Sequence, residues 1–135
     1  MATNKRLTYV DASVLINAAI GPNAARRMRA IAILGDPGRE FVGTRYLILE
    51  VTPIPACYQR QKELRFYERF FVGLSHWIDE DPLLQPAIAL AQQFGLGAMD
   101  ALHLTAASTL QAEFISAEKP TKPLYQAYHK TFSIY

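Results

Sequence analysis

Four carboxylates stand nearly alone in apolar sequence. Asp11 interrupts Leu7-Thr-Tyr-Val-Asp-Ala-Ser-Val-Leu-Ile-Asn17, and Glu50 is the only acid in Tyr46-Leu-Ile-Leu-Glu-Val51. Asp100 lies among Met99, Ala101, Leu102 and Leu104, and Glu118 follows Phe114-Ile-Ser-Ala117. Taking an ionised carboxylate out of water is costly unless a partner offsets the loss, and no Lys or Arg lies between Leu7 and Ile20 to pair with Asp11 locally. Each acid also has a plainer explanation. Asp11 can cap a following helix, Asp100 can sit in the favourable field of a helix start, and Glu50 can lie on a partly exposed helix face. For Asp11, capping and ligand binding stay equally open on this segment alone. Four acids with no Cys or His beside them suit a hard cation with oxygen ligands, Mg²⁺ or Mn²⁺, rather than zinc, copper or iron. Such an ion neutralises phosphate oxygens and lowers the pKa of water, which is equipment for hydrolysing a phosphodiester. That chemistry requires the four acids to converge.

The elements that must position them are set by the pattern of apolar residues. Leu7 to Val10 reads as a buried strand and Ala12 to Ala19 as a helix stopped by Gly21-Pro22, so Asp11 falls at the strand's carboxyl end. Asn23 caps a second helix with Met28, Ile31 and Leu34 as its apolar stripe and Gly35 as its end. Phe41-Val42 is a second strand, and Thr44 precedes a helix over Arg45 to Val51. Pro53 and Pro55 interrupt the chain after Val51, and a helix resumes from Cys57 to Phe71. His76 to Asp79 is a third strand. Asp81-Pro82 opens a helix that runs to Phe94 and Gly95, Ala98 to Leu110 is a further helix, and Glu113 to Ala117 is a fourth strand. Thr131 to Ile134 can add an edge strand. Strands alternating with helices predict a three-layer α/β/α sandwich with a central, mainly parallel sheet. Asp11 and Glu118 then lie just past strand carboxyl ends, where open sheets of this class place ligands.

The 135 residues predict a single domain over 1–135, and 50% hydrophobic residues fit a folded protein with a real core. Fourteen basic against twelve acidic residues leave a net charge of +2, too small to announce nucleic-acid binding by itself. The distribution is uneven, with Arg26, Arg27 and Arg29 and later Arg60, Lys62, Arg65 and Arg69 on one side. No Lys or Arg occurs from Asp81 to Glu118. A single cysteine, Cys57, excludes an internal disulfide, and His76, His103 and His129 are too scattered for a Cys/His zinc site. Asp11 and Asn17 break the apolar run that a signal peptide after Lys5-Arg6 needs, and no run is long enough to span a membrane. A cytoplasmic location is the expectation.

The segments Tyr-Val-Asp11-Ala-Ser13-Val-Leu-Ile, Leu-Ile-Leu-Glu50-Val, Gly97-Ala-Met-Asp100-Ala-Leu-His-Leu-Thr-Ala-Ala107 and Phe114-Ile-Ser116-Ala-Glu118 occur in that order. Together they resemble the PIN-domain ribonucleases, especially the VapC-type toxins of bacterial toxin-antitoxin pairs. The resemblance implies a parallel sheet flanked by helices, with the acids in one groove around Mg²⁺ or Mn²⁺, an RNA substrate, an antitoxin partner and a homodimer. Asp11, Glu50 and Asp100 match the acidic positions. Ser13 matches a hydroxyl position that helps hold the metal's water shell or the phosphate, and Ser116 matches the small hydroxyl residue before the final acid. Glu118 departs from the pattern, because the family more often has Asp there.

His103 lies one helical turn from Asp100, but an imidazole on an apolar helix is better read as a hydrogen-bonded core residue than as a general base. Tyr58, Lys62, Arg65 and Arg69 share a face if they share one helix, which suits either RNA backbone contact or plain solvation. Phe66, Tyr67, Phe70 and Phe71 supply apolar bulk for the core or for a partner. The alternative to an active nuclease is a PIN-like RNA- or protein-binding module that is weak or inactive in catalysis. A receiver domain is disfavoured because the acid pair expected after its first strand is absent. A haloacid-dehalogenase-type phosphatase is disfavoured because Ser13 stands where a second aspartate is needed.

Overall fold

A computed structural model describes residues 4–135. Strand β1 (Arg6–Val10) leads through Asp11 into α1 (Ala12–Ile20), and α2 (Ala24–Leu34) precedes β2 (Arg39–Gly43). Three helices come next, α3 (Arg45–Val51), α4 (Pro53–Cys57) and α5 (Gln61–Val72), then β3 (His76–Trp77) and a 3₁₀ turn at Asp81–Leu83. The remaining elements are α6 (Leu84–Phe94), α7 (Ala98–Thr109), β4 (Glu113–Ser116), α8 (Leu124–Ala127) and β5 (Thr131–Ser133). The five strands form one sheet in the order β3-β2-β1-β4-β5, and every pairing is parallel. Helices flank the sheet, giving the expected three-layer α/β/α sandwich. On one side α1 packs against α2, α3 and α5, while α6, α7 and α8 pack on one another. No described helix is long and apolar enough to cross a membrane.

Central position explains the composition of β1. Strands covered on both faces read as continuous apolar runs, and Thr8, Tyr9 and Val10 are fully buried. The sharp strand-to-helix change at Asp11 puts its carboxylate over the start of α1, where Oδ1 accepts from the Ser13 amide at 3.2 Å. Asn23 caps α2 in the same way, accepting from Arg26 N–H at 2.8 Å. Helix α7 is buried nearly all round, with Ala101, Ala106 and Ala107 small enough to sit close to its neighbours beside Leu104.

Several sequence expectations need correction. Helix α3 does end at Val51 as expected, but Pro53 opens the short helix α4, where its missing N–H costs nothing, and the long helix resumes only at Gln61 after a further break. The break lies at Tyr58 to Arg60, where Gln59 adopts φ 56° and Arg60 N–H turns back to Pro55 O at 2.8 Å. Tyr58 therefore lies outside α5, and only Lys62, Arg65 and Arg69 share that helix. Of the stripe expected to bury α2, Met28 and Ile31 face solvent while Leu34 packs against the core beside Ile33 and the buried Ala30. Strand β3 has only two residues, and α8 is not signalled by any sequence pattern. The aromatic cluster of α5 does enter the core, with Tyr67 and Phe71 buried and Phe66 and Phe70 packed beside them.

Candidate functional site

The site is assembled at the carboxyl edge of the sheet. Asp11 ends β1 and is buried, with only 6% exposure. No ion pair with Lys, Arg or His forms at Asp11, Asp100 or Glu118 among the described residues. Neutral donors hold Asp11 instead. The Ser13 amide meets Oδ1, and Ser116 Oγ, fully buried at the end of β4, donates to Oδ2 at 2.9 Å. Capping and ligand binding are thus compatible at Asp11, since a capping carboxylate keeps lone pairs for a second partner.

Ser13 and Ser116 stitch β4 to β1 and α1. Ser13 Oγ accepts from the Ala117 amide at 2.9 Å and lies 3.5 Å from Ser116 Oγ, while Ser116 Oγ also accepts from the Glu118 amide at 3.1 Å. The Glu118 carbonyl is held in turn by Tyr125 Oη at 2.6 Å and Ser133 Oγ at 2.9 Å. Tyr125 and Ser133 are thus supports of the Glu118 turn that no sequence motif indicated.

Asp100 and Glu118 line one cleft of about 200 Å³, closed by Gly95, Leu96, Gly97, Lys122, Pro123 and Leu124. Asp100, in the first turn of α7, has its pKa pushed up from 3.8 to about 6. Burial contributes most, followed by the charges of Asp11 and Glu118 and, more weakly, Glu50, while His103 opposes the shift. Asp100 therefore feels the charges of the other three acids found in sequence.

Glu50, near the end of α3, is 28% exposed, and its Oε1 is hydrogen-bonded to His103 Nε2. His103 is buried, and its Nδ1 meets the hydroxyl of Tyr9, which also bonds Thr44 Oγ1 at 2.8 Å. The core reading of His103 is correct, but its partners, Tyr9, Thr44 and Glu50, are not legible from sequence.

An oxygen-only set of carboxylate donors matches the chemistry of Mg²⁺ or Mn²⁺. As the side chains stand, no three Asp, Glu, His or Cys groups among the described residues are gathered closely enough to grip an ion. The set fits such an ion in kind, with side-chain adjustment required to close on it.

In comparison with solved structures, the chain is similar to a toxin-antitoxin complex from Klebsiella pneumoniae, with TM-score 0.68 and 16% identity over 95% of this chain and 98% of that one. It is also similar to PAE2754 from Pyrobaculum aerophilum, with TM-score 0.68 and 14% identity over 98% of this chain and 93% of that one. The fold is PIN-like. At these identities the likeness speaks for the fold alone. No model of a known protein family and no curated protein matches the chain.

Proposed function

We propose that this chain is a metal-dependent endoribonuclease that hydrolyses RNA phosphodiester bonds, and that it is the toxin of a type II toxin-antitoxin pair. The observation that carries the reading is geometric: Asp11 is buried past the end of β1 and held by Ser116 at the end of β4, while Asp100 and Glu118 line one cleft at the same sheet edge. Acids distant in sequence sharing one sheet edge are what a cation-assisted phosphodiester site needs and what a structural core avoids. The ordered motifs and the PIN-like fold add support, as does the fact that one similar structure is a toxin-antitoxin complex.

Asp11, Asp100, Glu118 and Glu50 would hold Mg²⁺ or Mn²⁺. When bound, such an ion supplies Lewis acidity toward the phosphoryl group and lowers the pKa of water. Asp11 enters this role already oriented through Ser116 Oγ and the Ser13 amide. Ser13 Oγ accepts from the Ala117 amide, which fixes the β4 turn, and keeps its own proton to donate to the ion's water shell or to phosphate. Glu118, one carbon longer than Asp, stands on a turn pinned at its amide and carbonyl, which supports a role as carboxylate ligand from a fixed backbone. An antitoxin or a second copy would find apolar surface along Leu84, Ile88, Leu49 and Ile54, all exposed.

A second reading, a PIN-like RNA- or protein-binding module without turnover, is favoured by one observation: Glu50 Oε1 is already engaged by His103. Cleavage of labelled single-stranded and structured RNA by pure protein separates the two. Nuclease function requires cleavage with Mn²⁺ or Mg²⁺, none with chelator, and none by Asp11→Asn prepared identically. RNA retained without cleavage in any metal supports the binding module and overturns the nuclease reading.

A further inference from the structure

We infer that His103 is a positioning residue for Glu50, held in place by Tyr9 and Thr44, so that α7 governs two of the four site carboxylates. The inference rests on the proposed cation site and concerns how that site is kept in order. Helix α7 carries Asp100 itself and, one turn later, the imidazole that holds Glu50 on α3.

With Glu50 ionised and the His103 imidazole neutral, the hydrogen bonds take one consistent polarity. An ionised carboxylate only accepts, so His103 Nε2 carries the proton given to Glu50 Oε1. In the neutral imidazole Nδ1 then accepts, and the Tyr9 hydroxyl is its donor. Burial drives the ionisation of Tyr9 far above its usual range, so the phenol keeps its proton. Thr44 Oγ1–H completes the chain by donating to Tyr9 Oη at 2.8 Å. Thr44 occupies the N-cap position of α3 yet makes no side-chain cap bond there, since its hydroxyl is directed to Tyr9. The chain Thr44–Tyr9–His103–Glu50 therefore leaves α3 at its N-cap, crosses β1 and α7, and returns to α3 near its end.

A purely structural role explains why the buried members are hydrogen-bonded, but not where the chain ends. Tyr9, Thr44 and His103 are almost wholly inaccessible, whereas the last acceptor is a carboxylate 28% exposed, in electrostatic contact with Asp100. Carboxylate ligands are commonly fixed by such outer hydrogen bonds, which select one rotamer of a flexible side chain. Glu50, with three side-chain torsions, has more freedom to lose than either Asp11 or Asp100.

The test is isothermal titration of the full chain with Mn²⁺ under nuclease-free conditions, without RNA. Removing the donor in His103→Leu should weaken Mn²⁺ binding by about 10- to 100-fold, the usual effect of losing an outer-shell partner. His103→Gln, whose amide can donate near the place of Nε2, should recover most of that affinity, and Tyr9→Phe should give an intermediate loss. Circular dichroism establishes that each variant is folded. Unchanged affinity in folded His103→Leu, with wild type binding normally, overturns the positioning role and leaves the cation site standing. Absence of Mn²⁺ binding in wild type overturns both. Should His103→Leu not fold, Tyr9→Phe and the wild-type imidazole ¹⁵N spectrum decide: Nε2 protonated is the expected result, and Nε2 bare overturns the inference.

Discussion

Asp100→Asn should make the metal-free protein more stable while removing its activity. Asp100 has its carboxyl raised from 3.8 to about 6, chiefly by burial and then by Asp11 and Glu118. The folded state therefore disfavours the charged form, a penalty absent below about pH 4, growing as pH rises to 6 and complete above it. A shift of this size is about 3 kcal/mol between protonation states, and screening of a half-exposed group reduces the expected stability term to about 1–2 kcal/mol. Asparagine has nearly the shape of the protonated acid and carries no charge. Urea denaturation in chelator should thus show equal stability for the two proteins at pH 4 and an advantage of about 1–2 kcal/mol for Asp100→Asn at pH 7.5. Saturating Mn²⁺ should reverse the order, since a ligand at one hundred times its Kd adds about 2.7 kcal/mol to the form that binds it. Cleavage should fall by about 100-fold or more, corresponding to loss of roughly 3 kcal/mol of transition-state stabilisation. A variant less stable than wild type at pH 7.5 in chelator would refute the electrostatic reasoning, because it would mean that Asp100 is a stabilising structural charge.

Other substitutions probe the scaffold. Ser116→Ala removes the donor to Asp11 Oδ2 and the acceptor for the Glu118 amide at a fully buried position; it should cost about 1–3 kcal/mol in urea denaturation and weaken Mn²⁺ binding in the same preparation. Gly21→Ala would place Cβ 2.6 Å from Asn17 O and 2.9 Å from Asn17 Cα, so backbone at the α1 end must shift and a thermal melt should report a loss of about 1–3 kcal/mol. Gly95→Ala meets no atom within 4 Å but sits at φ 70°, so its loss should be about 1 kcal/mol from backbone strain alone. Arg39, 9% exposed, bonds Glu113 Oε1 at 2.9 Å and Thr8 Oγ1 at 3.0 Å, and its Nε lies 3.2 Å from Asp36 Oδ2 without hydrogen-bond alignment. Arg39→Met should cost about 2–4 kcal/mol in urea denaturation, less than a fully buried pair because Glu113 keeps some solvent.

Much of the scaffold is legible in the sequence because its signals are local. Asp11 betrays itself as an acid at a strand-to-helix change, Asn23 as a cap, and Gly35 and Gly95 as helix ends. The alternation of strands and helices is enough to fix a parallel sheet between helical layers. What escapes is decided between residues far apart in the chain. Tyr9 and His103 are ninety-four positions apart and Tyr9 and Thr44 thirty-five, so no periodicity connects them. The stripe of α2 misleads in part because Met28 and Ile31 have helical spacing, while the packing face is made by Ala30, Ile33 and Leu34. The break at Tyr58 to Arg60 depends on Gln59 accepting a left-handed φ, to which nothing in its type points. In the site, the four acids are readable as isolated charges in apolar sequence. Their supports, Tyr125 and Ser133 beneath Glu118 and His103 behind Glu50, are ordinary polar residues until the fold brings them together.

The most direct measurement is the anomalous difference density of crystals soaked in Mn²⁺. The expected result is a peak among Asp11, Glu50, Asp100 and Glu118, with carboxylate oxygens of at least Asp11 and Asp100 at about 2.1 Å. Density lying elsewhere, or no peak at these carboxylates under conditions in which the protein cuts RNA, would contradict the assignment of this sheet edge as the cation site.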